Sequence, residues 1–244
     1  MTATDQAHQL AQPLLPNLVA VPGVKYGTCP TCHSSRKPDY QRCYPCQEAH
    51  WLLGGDVPAV LPITYSIERS QVHYALRNYK DNFDVAVRIQ FRNQLAGLLS
   101  LFMTSHQQCL APFDVVTCLP SRKERTAAAE IVTMLKRFES IYQPVLTVGG
   151  GTTHTASADR FEASPSVEGR RVLIIDDTFT TGASVFSATS ALRAAGALVE
   201  NVLVIGRHVN PFKYQLSADL VEAAKDLKWA EHECVLCRTS ESLF

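Results

Sequence analysis

Two adjacent carboxylates and a run of hydroxyl side chains follow an apolar segment in the second half of the chain. The apolar residues 172–175 predict a strand buried on both faces, and a helix is expected to begin near Gly182. The N-terminus of a helix favours a phosphate, and carboxylates suit ribose hydroxyls, directly or through Mg²⁺. Helix capping alone requires fewer such residues. The segment therefore predicts a ribose 5-phosphate site formed by Asp176, Asp177, Thr178, Phe179, Thr180, Thr181, Gly182, Ala183 and Ser184.

Four cysteines near the N-terminus have the spacing of a metal site. They form two Cys-x2-Cys pairs separated by ten residues. Four thiolates complete the tetrahedral shell of a structural Zn²⁺, and the metal would stabilise a segment with almost no apolar periodicity. Free thiols, or haem attachment through residues 29–33, are the alternative interpretations. The predicted zinc ligands are Cys29, Cys32, Cys43 and Cys46.

The other four cysteines form no complete motif. Cys234 and Cys237 make a third Cys-x2-Cys pair, which could bind a metal with His232, join the N-terminal site or act as a redox pair. Two ligands alone do not make a zinc site. Cys109 and Cys118 are predicted to be core residues, because a free cysteine behaves as a small hydrophobic side chain.

Apolar periodicity predicts alternating strands and helices after the cysteine pairs. We predict strands at 115–119, 144–148, 172–175 and 199–205, and helices at 83–103, 128–138, 182–195 and 216–227. A polar stretch from the glycines at 149–151 to about residue 166 predicts a flexible loop. Alternating strands and helices predict an α/β fold with a parallel sheet flanked by helices.

Composition shifts divide the chain into three parts. Residues 1–25 are rich in Pro, Gln and Ala and are predicted to be a flexible N-terminus. Residues 26–55 form the four-cysteine zinc module, and Gly54, Gly55 and Pro58 mark the linker that follows it. Residues 60–244 form the α/β domain.

The overall composition gives no general sign of a nucleic-acid or membrane partner, although Arg122, Lys123 and Arg125 make one candidate for a local basic patch. The 23 Lys and Arg residues balance the 23 Asp and Glu residues, so net charge gives no general attraction to nucleic acid or anionic lipid. The sequence has no run of about 18 apolar residues that would predict a transmembrane helix. The N-terminus lacks the cationic start and apolar core of a secretory signal. We therefore expect a cytoplasmic protein without membrane insertion.

The segment from Arg171 to Ser184 (RVLIIDDTFTTGAS) resembles the phosphoribosyl pyrophosphate motif of type I phosphoribosyltransferases. Within this group the chain resembles the ComF family, which is related to amidophosphoribosyltransferase domains and carries an N-terminal four-cysteine module. Residues 74–80 (YALRNYK) and 114–120 (DVVTCLP) resemble further family segments, so the resemblance spans about residues 26–205. It implies a type I phosphoribosyltransferase fold with a zinc-ribbon-like N-terminal module. It also implies binding of phosphoribosyl pyrophosphate with Mg²⁺.

The resemblance places pyrophosphate on the loop after the strand at 115–119. By position this loop contains Ser121, Arg122 and Lys123, which we predict to bind pyrophosphate. Arginine gives bidentate contacts to phosphate oxygens, and lysine adds a mobile positive charge. The alternative interpretation is that Lys123 and Arg125 are simply solvent-exposed basic residues at the start of a helix.

Two segments depart from the family pattern. Residues 125–130 (RTAAAE) replace an Arg-Gly-Phe-Asn-Gln-like stretch of ComF relatives. The family's flexible loop usually carries an Arg, Thr and Gln series, of which residues 152–155 (TTHT) and 158–161 (ADRF) are the remaining counterparts. These departures weaken the prediction of catalysis more than the prediction of ligand binding.

Two hypotheses of function follow. The first is an enzyme of the glycosyltransferase class that transfers a phosphoribosyl group to or from a nitrogen nucleophile. The second, implied by the ComF resemblance, is a non-catalytic accessory for DNA uptake during competence, with single-stranded DNA or a competence protein as partner, or a related nucleotide-sensing module. Basic and aromatic residues alternate in the zinc module, as they do on surfaces that bind single-stranded nucleic acid. An ordinary solvent-exposed zinc-binding loop explains these residues equally well. These residues are Arg36, Lys37, Tyr40, Arg42 and Tyr44.

Overall fold

The computed structural model describes residues 2–24, 27–121, 126–151 and 154–240. The strands are β1 Ala59–Ile67, β2 Val115–Cys118, β3 Leu146–Val148, β4 Phe161–Ala163, β5 Val172–Phe179 and β6 Asn201–Val209. The helices are α1 Ala3–Ala11, α2 Tyr44–Leu52, α3 Gln71–Asp81, α4 Val85–His106, α5 Ala127–Thr133, α6 Lys136–Glu139, α7 Ala183–Ala194, α8 Gln215–Lys225 and α9 Val235–Ser240. Among these helices, none combines the length and apolar character needed to cross a bilayer.

The central sheet has four parallel strands in the order β1-β6-β5-β2. Cys118 at the end of β2 lies opposite Ile175 of β5, so β5 continues four residues beyond its partner. The carboxyl end of β5 therefore projects past β2 and carries Asp176 and Asp177 on extended backbone. The parallel sheet, its flanking helices and the N-terminal cysteine cluster are the architecture implied by the type I phosphoribosyltransferase resemblance, and the predicted fold class is confirmed.

Helices cover both faces of the sheet. Successive side chains of each strand point to opposite faces, and both sets of side chains are buried. On one face, Leu173 and Ile175 of β5 pack in a cluster with residues of α1, α3, α4 and α5. On the other face, Val172 and Ile174 pack in a second cluster with α7 and with three cysteines of the N-terminal module. We call these the α4 face and the α7 face.

The N-terminal segment differs from its prediction, because residues 3–11 form α1 and pack against α4. Thr2 and Asp5 cap the helix reciprocally: Asp5 N–H donates to Thr2 Oγ1 at 3.1 Å, and Thr2 N–H donates to Asp5 Oδ2 at 2.7 Å. A Cβ atom at Gly97 of α4 would lie 2.8 Å from the carbonyl oxygen of Ala7, so the two backbones approach closely there. A packed helix thus occupies residues 3–11 of the segment 1–25 that was predicted to be a flexible N-terminus. The division into three domains stays a prediction.

Three predicted elements between the main strands also differ. The helix predicted at 128–138 is interrupted at Leu135, whose extended backbone separates α5 from α6. The strand predicted at 144–148 lies outside the main sheet, because β3 pairs antiparallel with β4. The flexible loop predicted up to residue 166 therefore contains a short strand, β4.

Candidate functional site

A cavity of about 520 Å³ opens at the carboxyl ends of β2 and β5. Asp176 and Asp177 line it, together with Ser121 from the loop after β2. It is also lined by two cationic side chains for which no ligand contact was predicted, Lys80 of α3 and Arg160 next to β4. A second pocket of about 200 Å³ adjoins it, lined by Asp176 and residues 178–185. The structure thus brings the predicted ribose-phosphate segment and the start of the predicted pyrophosphate loop to one cavity.

Asp177 lies on the α4 face, where its carboxylate anchors α3. The Tyr79 hydroxyl donates to Asp177 Oδ2 at 2.6 Å, and the Lys80 ammonium forms an ion pair with the same oxygen. Burial and the negative charge of Asp177 raise the pKa of Tyr79, so the phenol remains a donor. Segment 74–80, noted for its family resemblance, thus supplies two partners of the predicted ribose site.

Asp176 lies next to Asp177 and has a strongly shifted pKa. Burial, followed by the negative charge of Asp177, raises the pKa of Asp176 to about 8, although Lys80 opposes the shift. The Asp177 N–H donates to Asp176 Oδ1 at 2.9 Å and fixes the orientation of this carboxyl group. A divalent cation bound here would favour the ionised carboxylate, because an opposite charge lowers the pKa of an acid.

The turn between β5 and α7 has the shape of an anion cradle. Gly182 stands before the first residue of α7 with φ of +82°, a conformation that favours glycine. The first turn of any α-helix carries N–H groups with no acceptor inside the helix, so the start of α7 can donate to a phosphate. Thr180 and Ser184 add hydroxyl groups that line the cavity.

The hairpin of β3 and β4 positions Arg160 beside this cradle. Gly149 N–H donates to the Arg160 carbonyl at 2.8 Å, and Gly151 N–H donates to the Asp159 carbonyl at 3.0 Å. A Cβ atom at either glycine would come within 2.6 Å of the facing backbone. Arg160 then donates to Ser184 Oγ at 2.6 Å. Gly149 and Gly151 were the sequence signal for this close approach, although the run of three glycines was predicted to open a flexible loop.

The predicted pyrophosphate loop is described in part. Ser121 lines the cavity, while Arg122 and Lys123 lie outside the described residues. Ala127 and Ala128, which follow the loop, also line the cavity. Described residues on both sides of the segment 122–125 therefore line the same cavity.

The four N-terminal cysteines come together as predicted. The sulfur atoms of Cys29, Cys32, Cys43 and Cys46 all lie within 4.8 Å of one another, and Cys32 Sγ is 3.6 Å from Cys43 Sγ. A tetrahedral Zn²⁺ with bonds of about 2.3 Å to sulfur places its ligands roughly 3.8 Å apart. The number, type and spacing of these sulfurs fit one structural zinc ion.

Arg207 of β6 connects the cysteine cluster to the end of β5. Its Nε donates to the Cys32 carbonyl at 3.0 Å, and its Nη1 donates to the Phe179 carbonyl at 3.1 Å. The guanidinium also lies over the Phe179 ring, 5.1 Å from the ring centroid. A buried arginine that bonds both segments couples the position of the cysteine module to that of the candidate phosphate cradle.

No family model matches the chain. Among the curated proteins, orotate phosphoribosyltransferase of Cenarchaeum symbiosum is 34% identical over 117 residues, which is 48% of this chain and 53% of the relative. Orotate phosphoribosyltransferase of Nocardioides sp. is 59% identical over 39 residues, 16% of this chain and 22% of the relative. Adenine phosphoribosyltransferase of Novosphingobium aromaticivorans is 39% identical over 64 residues, 25% of this chain and 36% of the relative.

These relatives are phosphoribosyltransferases. The chain spans about half the length of the first relative and less of the other two. Similar solved structures include a phosphoribosyltransferase from Corynebacterium diphtheriae, with 23% identity and a TM-score of 0.36 over 65% of this chain and 89% of that one. Orotate phosphoribosyltransferase of Mycobacterium tuberculosis in complex with phosphoribosyl pyrophosphate has 20% identity and a TM-score of 0.34, over 64% of this chain and 81% of that one.

Proposed function

We propose that the chain binds phosphoribosyl pyrophosphate with Mg²⁺ in the cavity at the carboxyl ends of β2 and β5, and that it transfers phosphoribosyl groups. One observation carries the proposal: the paired acids of β5 and the hydroxyl-rich start of α7 form a wall of the same cavity that the loop after β2 lines. Hydrogen-bond donors for a phosphate and hydrogen-bond acceptors for the ribose hydroxyls therefore lie in the arrangement that one ribose 5-phosphate requires. The curated relatives, all phosphoribosyltransferases, support the same function.

Each part of the ligand has a counterpart among the residues. The 5-phosphate would accept hydrogen bonds from the start of α7, with Ser184 and Arg160 beside it. The ribose hydroxyls would lie against Asp176 and Asp177, where Mg²⁺ would supply positive charge between them and the pyrophosphate. The pyrophosphate would lie near Ser121, with Arg122 and Lys123 as its proposed cationic partners.

In the proposed reaction, the bond from ribose C1 to pyrophosphate breaks and its electron pair leaves with the pyrophosphate. The lone pair of a nitrogen nucleophile then forms the new C1–N bond, and a nitrogen that carried a hydrogen loses a proton. The developing positive charge on the ribosyl carbon lies close to Asp176 and Asp177, and donors on the opposite side stabilise the leaving group. Positioning and electrostatics are therefore the chain's main contributions.

We further propose that the protein is of the ComF type and cytoplasmic. The ComF assignment rests on the combination of an N-terminal four-cysteine cluster and a phosphoribosyl pyrophosphate motif in one chain. The contacts of Arg207 with both segments support a shared role for the two parts.

Calorimetry tests the ligand. We expect phosphoribosyl pyrophosphate with Mg²⁺ to bind with a Kd on the order of micromolar, and Asp176→Asn/Asp177→Asn to weaken binding at least about 100-fold. Asp114→Asn is the matched control: Asp114 pairs with Arg171 at the opposite end of the sheet, so its removal leaves binding unchanged. Equal heats for the wild type and the double variant would refute the proposed site.

A second candidate function is single-stranded DNA binding by the cysteine module during competence. The observation in its favour is exposure of large aromatic side chains there: Tyr40 is 59% exposed, Tyr44 73% and Trp51 69%. Bases stack on such rings, each contact contributing about 1–3 kcal/mol. Arg36, in contrast, donates to the carbonyls of Thr28 and Tyr40 within its own loop.

Retention of a labelled oligonucleotide tests this alternative. We expect binding that weakens as salt rises and that falls about tenfold or more in Tyr40→Ala/Tyr44→Ala, because stacking is lost. Tyr74→Ala, which alters an exposed tyrosine of α3 instead, serves as the control. Absence of binding even at low salt would exclude a DNA role for this module.

A further inference from the structure

A second group of metal-ligand side chains lies at the end of α4, apart from the N-terminal cluster. Cys109, Cys234 and Cys237 place their sulfur atoms near the His106 ring, and the four ligand atoms all lie within 4.8 Å of one another. Cys237 Sγ is 3.3 Å from both Cys109 Sγ and Cys234 Sγ. His106 Nδ1 is 3.5 Å from Cys237 Sγ and 3.8 Å from Cys109 Sγ. Four potential ligands therefore surround one point.

This arrangement resolves the open role of the third cysteine pair. Cys234 and Cys237 pack with the cluster on the α4 face, whereas Cys29, Cys32 and Cys46 belong to the cluster on the α7 face. The third pair therefore does not join the N-terminal site. His232 is exposed and outside the group, and Cys109, predicted to be a core residue, is one of its members.

The histidine is oriented for metal binding by its second nitrogen. His106 Nε2 is 2.8 Å from the carbonyl oxygen of Glu231, which can only accept a hydrogen bond. The proton of the neutral ring therefore resides on Nε2, and Nδ1 presents its lone pair to the three sulfurs. Metal-binding histidines are typically fixed in this way by a carbonyl or carboxylate on the other nitrogen.

The distances favour a metal over a disulfide. A disulfide joins sulfurs at about 2.05 Å and would leave the third sulfur and the imidazole without a common partner. A tetrahedral zinc ion with about 2.3 Å to sulfur and about 2.0 Å to nitrogen separates its ligands by roughly 3.5–3.8 Å. The observed 3.3–3.8 Å separations approach this range. In addition, the Cys237 N–H points to Cys234 Sγ at 3.5 Å and can donate to a thiolate there.

We propose that His106, Cys109, Cys234 and Cys237 form a second structural zinc site, with three thiolate ligands and one imidazole ligand. Binding the metal breaks three S–H bonds, whose protons pass to solvent, and forms three Zn–S bonds and one Zn–N bond through the free lone pair of Nδ1. The site joins residues more than 120 positions apart in the sequence and so fastens the segment after α8 to the end of α4. Trp229 supports the same segment through a 3.0 Å hydrogen bond from Nε1 to the Ile63 carbonyl of β1.

Zinc stoichiometry of the purified full chain tests the proposal. We expect about two zinc ions per wild-type chain, and about one in both Cys109→Ser and His106→Ala, because each variant removes one ligand of the second site. His232→Ala is the matched control: it removes an exposed histidine two residues before Cys234 and retains both ions. Cys29→Ser/Cys32→Ser loses the other ion and shows that the two sites fill independently.

Two further measurements test the proposal even if one of the variants fails to fold. In the wild type, the fine structure of the zinc X-ray absorption edge is expected to show both sulfur and nitrogen ligands. Summed over the two sites, their ratio should be close to seven sulfurs to one nitrogen. Trypsin is expected to cleave at Lys225 and Lys228 faster in Cys109→Ser than in His232→Ala, because the C-terminal segment is no longer fastened. One zinc ion per wild-type chain with sulfur ligands alone, or a disulfide involving Cys237 found by mass spectrometry, would overturn the proposal.

Discussion

Replacing Arg207 with methionine is expected to lower the free energy of unfolding by about 3–5 kcal/mol, the range for removing one partner of a buried charged network. Arg207 is 4% exposed and donates to the carbonyls of Cys32, Phe179 and His208. Methionine has an unbranched side chain of similar length but donates no hydrogen bond, so the three carbonyls lose the donor that Arg207 supplied. Urea denaturation followed by circular dichroism measures the change.

The same variant is expected to weaken metal retention in the N-terminal module. Four thiolates and one Zn²⁺ carry a net charge of about −2, which is unfavourable at a buried position without a nearby cation. Arg207 Nη2 lies 3.8 Å from Cys32 Sγ and supplies that positive charge. Competition with a chromogenic chelator should therefore remove this zinc faster from Arg207→Met than from the wild type.

Arg171→Met is the matched control for Arg207→Met. Arg171 makes a bidentate pair with Asp114, with Nε–Oδ2 at 2.9 Å and Nη2–Oδ1 at 2.6 Å. Both side chains are partly exposed, and such pairs contribute about 0–1 kcal/mol. If the two arginine variants lose the same stability and the same zinc, the linking role of Arg207 is wrong.

The parts of the candidate site that the sequence predicted are local in the chain. Asp176, Asp177 and the hydroxyls up to Ser184 occupy nine consecutive positions, and each N-terminal cysteine pair spans four. A strand end and a helix start follow directly from apolar periodicity, so the position of this motif in the fold was predictable. The four cysteine sulfurs then meet because two short pairs have few ways to satisfy one metal.

The parts that the sequence did not predict depend on contacts between distant residues. Tyr79 and Lys80 meet Asp177 across 98 and 97 positions, and Arg207 meets Cys32 across 175. His106 meets Cys237 across 131 positions. Periodicity and spacing carry no information on such pairs, because they arise from the order in which strands assemble and from which helix covers each face.

Among the elements that were not predicted from the sequence, β1 and α1 were missed for different physical reasons. No strand was predicted at β1, where Pro62 interrupts the run of apolar residues. Within the described sheet β1 is an edge strand, and an edge tolerates a residue that lacks an N–H donor. Helix α1 packs through small residues, Ala7 and Ala11 against Gly97, and small side chains give a weak apolar stripe in the sequence.

Gly182→Ala is expected to reduce stability by about 3 kcal/mol or more and to abolish binding at the proposed phosphate cradle, because it combines two unfavourable effects. The first is the positive φ of +82°, which strains any residue with a Cβ atom. The second is overlap: the new Cβ would lie 2.4 Å from a ring carbon of Phe179 and 2.4 Å from one of Phe186. Both rings are buried, at 1% and 0% exposure, and pack edge to face, so neither can move aside without disturbing the core.

Gly169→Ala separates these two effects. Gly169 also has a positive φ, +69°, but a Cβ there would meet no atom within 4 Å. Its variant should lose about 1 kcal/mol from backbone strain and bind phosphoribosyl pyrophosphate normally, as measured by denaturation and calorimetry side by side. The difference between the two variants is then the contribution of the close approach between Gly182 and the two rings. Equal losses of stability, with ligand binding intact in both, would show that the turn does not depend on this approach and that the cradle tolerates a displaced α7.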